Sequence, residues 1–186
     1  YDDPKEELFL KKGNFLIIEG IHGMNPKLIE SLGGREKVSQ IYIQPTSPIR
    51  IDNNHRFSCS DYRLIRRITR DYYFRATPSR TTINIWTSVR YGEMTNIFPY
   101  QENADYCFNS ALFYEISVVS LFAKSLLADA SVPAKGEDKN DPNSKAVNNE
   151  VKRLTSLINL FYPFSVDQVP HISCIREFVG GSDIKY

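Results

Sequence analysis

The run Phe15-Leu16-Ile17-Ile18, closed by Glu19-Gly20, constrains the fold more than any other feature of the chain. Four consecutive apolar residues need cover on both faces, which a strand finds at the centre of a parallel sheet flanked by helices. The residues that follow fit that setting. "NPKLIESLGG" reads as a short helix with Pro26 in its first turn and Gly33-Gly34 as its stop, and "KVSQIYIQP" reads as a second strand ended by Pro45. Strand, helix and strand make a βαβ unit, so the expected class is α/β.

A second helix is expected from "SCSD", where Ser58 can cap and Asp61 can reach back from the third helical position. On a 3.6-residue wheel Arg63, Arg66, Arg67 and Arg70 share one face, turned away from the core, while Leu64, Ile65, Ile68 and Tyr72 share the other. A weakly patterned stretch runs on to Gly92. "NADYCFN" then reads as a strand and "FYEISVVSLFAKSLLADA" as a long amphipathic helix. Residues 131–150 are polar and rich in turn formers, which predicts a mobile loop. "EVKRLTSLINLFYPF" predicts a last substantial helix, followed by a short tail. The expected organisation is a core over 1–130, the loop over 131–150, and a helix and tail over 151–186 packed on the core.

Charge and cysteine usage exclude several classes. With 23 basic and 22 acidic side chains the net charge is +1, so any affinity for nucleic acid or an anionic membrane must come from a local patch. The three cysteines, Cys59, Cys107 and Cys174, are widely spaced, with no CxxC and no adjacent histidine pair. They form neither a disulfide framework nor a zinc site, and no apolar run approaches the roughly 18 residues of a membrane span. A cytoplasmic protein is the expectation, with no membrane partner.

The local patch exists. Seven of the twelve arginines lie between Arg63 and Glu93, and no lysine occurs from residue 38 to 123 although the chain has eleven. Arginine's planar fork grips phosphate or carboxylate at two points and stays charged when partly desolvated. An arginine-only cluster therefore points to an oxyanion. A plain solvated helix face, paired to Asp61 and Asp71, is the competing reading. Glu19, ending an apolar strand, is placed where an acid can orient Mg²⁺ or its waters beside phosphate, and it is equally a site for a structural carboxylate.

"IIEGIHGMNP", "IYIQPTSPIRIDNNHR", "TRDYYFRATPSRTTINIWTSVRYGEMTNIFPYQENADYCFNSAL" and "VPHISCIREFVGGS" together resemble the uridine kinase-like family, in its long form joined to a TGS-type, threonyl-tRNA-synthetase-like region. The resemblance covers nearly the whole chain from Phe15. It implies a partial P-loop kinase fold with an arginine-bearing lid over about residues 63–93 and a C-terminal helical extension. The implied activity is transfer of the γ-phosphate of ATP, with Mg²⁺, to the 5′-hydroxyl of uridine or cytidine. The family's R-R-x-x-R-D falls on Arg66, Arg67, Arg70 and Asp71. Arg67 and Arg70 are then expected to serve catalysis together with Glu19, Arg67 also meeting the substrate. Arg66, Arg75, Arg80 and Arg90 are expected on phosphate, His22 on the nucleoside, and Asn109 and Ser110 beside the ATP base. Glu19 is the expected Mg²⁺ residue, through water.

Two departures qualify the resemblance. Arg75-Ala76-Thr77 stands where smaller uridine kinases have R-G-R, leaving Arg80 or Arg90 as replacements for the second lid contact. None of the nine glycines belongs to a G-x-x-x-x-G-K-[ST] loop, the element that cradles the ATP phosphates. Tyr1-Asp2 resembles the start of the family's Y-D-F nucleoside segment. The 186 residues alone are expected to be inactive, with the loop supplied by an upstream segment, a cleaved companion or a partner copy. A non-catalytic nucleotide- or RNA-binding module that reuses the lid arginines is the alternative.

Overall fold

The computed structural model describes residues 9–46 and 49–185; Tyr1-Asp2 lies outside the described residues. The chain is mixed α/β. Helix α1 (Pro26–Ser31) precedes strand β1 (Ile41–Gln44), helix α2 (Cys59–Arg75), helix α3 (Ser79–Asn96), strand β2 (Tyr106–Asn109), helix α4 (Glu115–Ala130), helix α5 (Pro142–Ile158) and helix α6 (Arg176–Val179). Short 3₁₀ turns occupy Arg35–Lys37, Phe98–Asn103 and Val166–Gln168.

β1 and β2 pair in parallel, Ile41 beside Tyr106 through Gln44 beside Asn109, and the crossover between them runs through α2 and α3. Asp105 fixes the start of this ladder. Its carboxylate accepts from the Gln40 backbone N–H at 2.8 Å and from both terminal nitrogens of Arg35 at 2.9 and 2.6 Å. At the other end Ser110 N–H donates to the Gln44 carbonyl at 3.0 Å.

The expected central strand at Phe15–Ile18 is not formed. Those residues are irregular, with Phe15 94% and Ile17 91% exposed. A continuous apolar run states a demand for burial but does not supply neighbours, and among the described residues the sheet has two strands, neither of them this run. The parallel pair is therefore β1 with β2 rather than Phe15–Ile18 with β1. One face of it, carrying Ile41, Ile43, Tyr106 and Phe108, is open to solvent.

The core lies instead among the helices. α2 contributes Tyr62, Leu64, Ile65 and Ile68, α3 Ile83 and Trp86, α4 Ile116, Val119, Ala123 and Leu127, and α5 Val151, Leu154 and Ile158. Each fully buried aliphatic side chain of this kind is worth about 1.5–3 kcal/mol. Ser58 caps α2 as its sequence predicts, its side chain accepting from the Asp61 N–H at 3.0 Å. Tyr72, expected on the apolar face, is exposed, because α2 runs past the core in its last turn.

Two helical segments differ from their sequence reading. The weakly patterned stretch is α3, which buries Ser79, Thr82, Ile83, Trp86 and Glu93, so that three of its five buried positions are polar and blur the period. The polar segment expected as a loop to residue 150 becomes α5 at Pro142. Asp141 caps it by accepting from the Asn143 and Ser144 N–H groups at 2.9 and 3.1 Å, and Ser144 and Val147 are buried. Among the described residues no helix is long and apolar enough to cross a membrane.

Candidate oxyanion site

α2 sorts its arginines by depth. Arg66 is turned inward, while Arg67, about 100° further round the helix, and Arg70 stay partly exposed. The outward group gathers on Asp71. Arg67 Nε donates to Asp71 Oδ2 at 3.1 Å, Arg70 donates to Oδ1 from Nε and Nη2 at 3.1 and 3.0 Å, and Arg75 Nη1 stands 3.6 Å from Oδ1. The Asp71 side chain is buried beneath them. Three guanidiniums meet one carboxylate, so the cluster carries two uncompensated positive charges with donors still directed outward.

The backbone sets this geometry. α2 ends in a left-handed turn at Ala76 (φ 50°), where the N–H groups of Ala76 and Thr77 both donate to the Asp71 carbonyl. Helical spacing brings Arg67 and Arg75, four residues to either side of Asp71, onto the same carboxylate as Arg70. Tyr72, Tyr73 and Phe74 emerge beside it, exposed, with Tyr72 edge-on to Tyr73 at 5.2 Å between ring centres and Tyr73 edge-on to Phe122 at 5.8 Å. Aromatic surface thus adjoins an anion-seeking patch.

Arg66 was expected on phosphate and is instead an internal cross-link. Its Nε and Nη2 donate to Glu115, and Nη2 also donates to the Ser110 carbonyl at 2.9 Å. Its guanidinium lies over the Tyr62 ring at 4.8 Å and the Phe178 ring at 5.2 Å. Tyr62 completes the set, donating its hydroxyl to Glu115 Oε2 at 2.6 Å. Burial, reinforced by the Glu115 charge, pushes the Tyr62 phenol above its ordinary range, so it remains a donor. Burial alone would lower the Arg66 pKa, but the Glu115 hydrogen bonds and charge raise it on balance.

Arg80 is likewise occupied. It donates to Glu137 at 2.8 and 2.5 Å, to the Ala130 carbonyl at 2.8 Å, to Asn148 at 2.8 Å and to the Ser144 hydroxyl at 2.8 Å, tying α3 to the α4–α5 connection and α5. The Arg80 hydrogen bonds hold the Glu137 carboxyl down at about 2. A guanidinium with its fork filled from within is not available to phosphate. Asp61, offered by sequence as a partner for the α2 row, pairs with Arg153 of α5 at 3.0 and 2.5 Å.

Arg90 shares the buried Glu93 with Arg63, at 2.9 and 2.5 Å. Asn109 serves the strand ends, its Oδ1 accepting from the Thr46 and Ala111 N–H groups at 2.9 and 3.1 Å, while Ser110 uses its backbone for Gln44 and Arg66. Glu19 and His22 are exposed on the irregular segment, and neither side chain has a hydrogen bond or ion pair among the described residues. No group of three or more metal-ligating side chains occurs among those residues, so a divalent cation would find Glu19 alone. The residues fit a phosphate and do not by themselves fit a Mg²⁺ ion.

The hubs of these clusters, Glu93, Glu115 and Glu137, escaped the sequence reading. Glu115 and Glu137 take arginines 49 and 57 residues away, beyond the reach of helical spacing, while Glu93 joins Arg63, 30 residues away, to Arg90, which at three residues was within reach. Asp71 was within reach, one and four residues from Arg70 and Arg67. No protein-family model matches the chain, and comparison with curated proteins and with solved structures finds no match.

Proposed function

We propose that these residues are the lid-bearing, C-terminal portion of a uridine or cytidine kinase-like phosphotransferase domain, with the Asp71 cluster gripping the ATP phosphates. The observation that carries the reading is the convergence of Arg67, Arg70 and Arg75 on one buried carboxylate at the end of α2. Asp71 holds the three forks in place, and the surplus of two positive charges matches a polyphosphate rather than a single carboxylate. The exposed Tyr72, Tyr73 and Phe74 offer stacking surface for a base next to it.

Lid arginines lower a phosphoryl-transfer barrier by stabilising charge that develops on the moving phosphoryl group, which requires the nucleotide to be fixed by other groups. With no G-x-x-x-x-G-K-[ST] sequence in the 186 residues, ATP capture without turnover is the behaviour expected of them in isolation. On this reading the phosphate-cradling loop and the completion of the Mg²⁺ site lie outside these residues.

The test is phosphorylation of uridine and cytidine by the natural polypeptide that carries this sequence, compared with its Arg67→Ala and Arg70→Ala variants. Each variant is expected to lose about a hundredfold or more in turnover, the scale of one removed charge-stabilising donor. Normal phosphorylation of uridine by both variants would sink the assignment. Binding of ATP without transfer by the natural polypeptide would instead favour a nucleotide-binding module.

A further inference from the structure

A second group of arginines lies at the carboxyl end of β1, separate from the Asp71 cluster. A cavity of about 240 Å³ opens between the end of β1, the first turns of α2, the middle of α3 and the 3₁₀ turn at Phe98–Asn103. Arg63 and Arg90 reach it from two different helices, and one buried carboxylate, Glu93, holds both. Each guanidinium is about one-third exposed. Among the described residues neither makes any other hydrogen bond, so most donors of both forks remain unmatched.

The rest of the lining has the same polarity. Gln44 lines the cavity, its amide oxygen accepting from the Tyr42 hydroxyl at 2.5 Å, and its NH₂ group makes no hydrogen bond among the described residues. Ser60 Oγ accepts from Trp86 Nε1 at 3.3 Å, which leaves its hydroxyl hydrogen to donate. Phe98 supplies an apolar wall whose ring is backed by Arg90 at 5.3 Å. Two arginines sharing one carboxylate, an amide and a hydroxyl therefore line a small space with net positive charge.

We propose that this cavity binds a compact oxyanion, a phosphate monoester or a small carboxylate, through Arg63 and Arg90, with Glu93 as the fixed counter-charge that aims both guanidiniums. The site needs neither ATP nor a nucleoside, and it stands independently of the kinase reading. Arg63 and Arg70 are two turns apart on α2, about 10 Å along the axis, so the two clusters can be perturbed separately.

Cys59 lines the cavity and gives a direct readout, with Cys107 and Cys174 as internal controls on exposed positions. The experiment is alkylation of the 186-residue protein by N-ethylmaleimide, followed residue by residue by mass spectrometry, with inorganic phosphate or malonate titrated against chloride at constant ionic strength. Saturable slowing at Cys59 with an unchanged rate at Cys107 is expected. Arg90→Gln should raise the half-protecting concentration about tenfold, as loss of one charge-assisted hydrogen bond implies. Gln44→Ala, which leaves both ion pairs intact, should raise it by a smaller factor and guards against a folding defect in the arginine variant. Protection by phosphate or by malonate identifies the oxyanion class. Equal protection by chloride, or protection undiminished in both variants, overturns the proposal.

Discussion

Glu115→Gln exchanges a carboxylate for an amide of nearly the same shape at a fully buried position beneath α2. The Glu115 side chain is fully buried, and the Arg66 guanidinium above it is enclosed by the Tyr62 and Phe178 rings. Removing the negative charge leaves a desolvated cation without a counterion, a loss of about 3–5 kcal/mol for buried pairs broken on one side. Against a total stability of about 5–15 kcal/mol, that is a large fraction. In urea unfolding at 25 °C, a slope of about 2 kcal/mol per M turns the loss into a midpoint lowered by about 2 M. Arg66→Met alone should cost a similar amount, since it strands the carboxylate instead. The double variant should be markedly more stable than the sum of the two losses predicts, because it removes both charges and keeps apolar packing. A loss below about 1 kcal/mol in Glu115→Gln, or strict additivity in the cycle, would refute the assignment of Arg66 as a structural cross-link rather than a phosphate ligand.

Three further outcomes follow from the same contacts. Glu137 has a folded pKa of about 2 against an ordinary 4.5, so its contribution is present above pH 4.5 and is lost as the pH falls toward 2. An acid titration of thermal stability should show that loss in the native protein and a flatter profile in Glu137→Gln; identical profiles would remove the Arg80 network from the account. Ala76 holds a left-handed backbone that glycine adopts without strain, so Ala76→Gly should stabilise the protein by about 1 kcal/mol and raise the melting temperature by about 2–4 °C; a lowered melting temperature would contradict the turn. Asp141→Ala should cost about 1 kcal/mol and selectively fray the first turn of α5, detected as faster amide exchange at Ser144 and Lys145; unchanged exchange would place the helix start elsewhere.

Local chemistry was legible in the sequence, and nonlocal partnership was not. Ser58 with Asp61 announces the start of α2, Pro26 and Gly33-Gly34 bracket α1, and the two strands fall inside "KVSQIYIQP" and "NADYCFN", each shorter than the reading at its amino-terminal end. The apolar run at Phe15–Ile18 shows the limit, because pairing depends on a neighbour that the pattern cannot name. α3 hid behind buried Thr82 and Glu93, and the start of α5 behind a polar composition that outweighed the Asp141-Pro142 cap. In the arginine cluster, wheel position separated the arginine face from the apolar face. It could not show that Arg66 leans inward to Glu115, or that Arg80 is filled by Glu137, because those acids come from distant parts of the chain.

The proposed function makes the outward arginines of α2 a polyphosphate receptor, which is tested by isothermal titration of inorganic tripolyphosphate into the 186-residue chain at low ionic strength, with the Arg67→Ala/Arg70→Ala double variant alongside. Measurable binding is expected that weakens at least about tenfold in the double variant while the fold is retained, as the loss of charge-assisted hydrogen bonds requires. Equal affinity in the two proteins would contradict it.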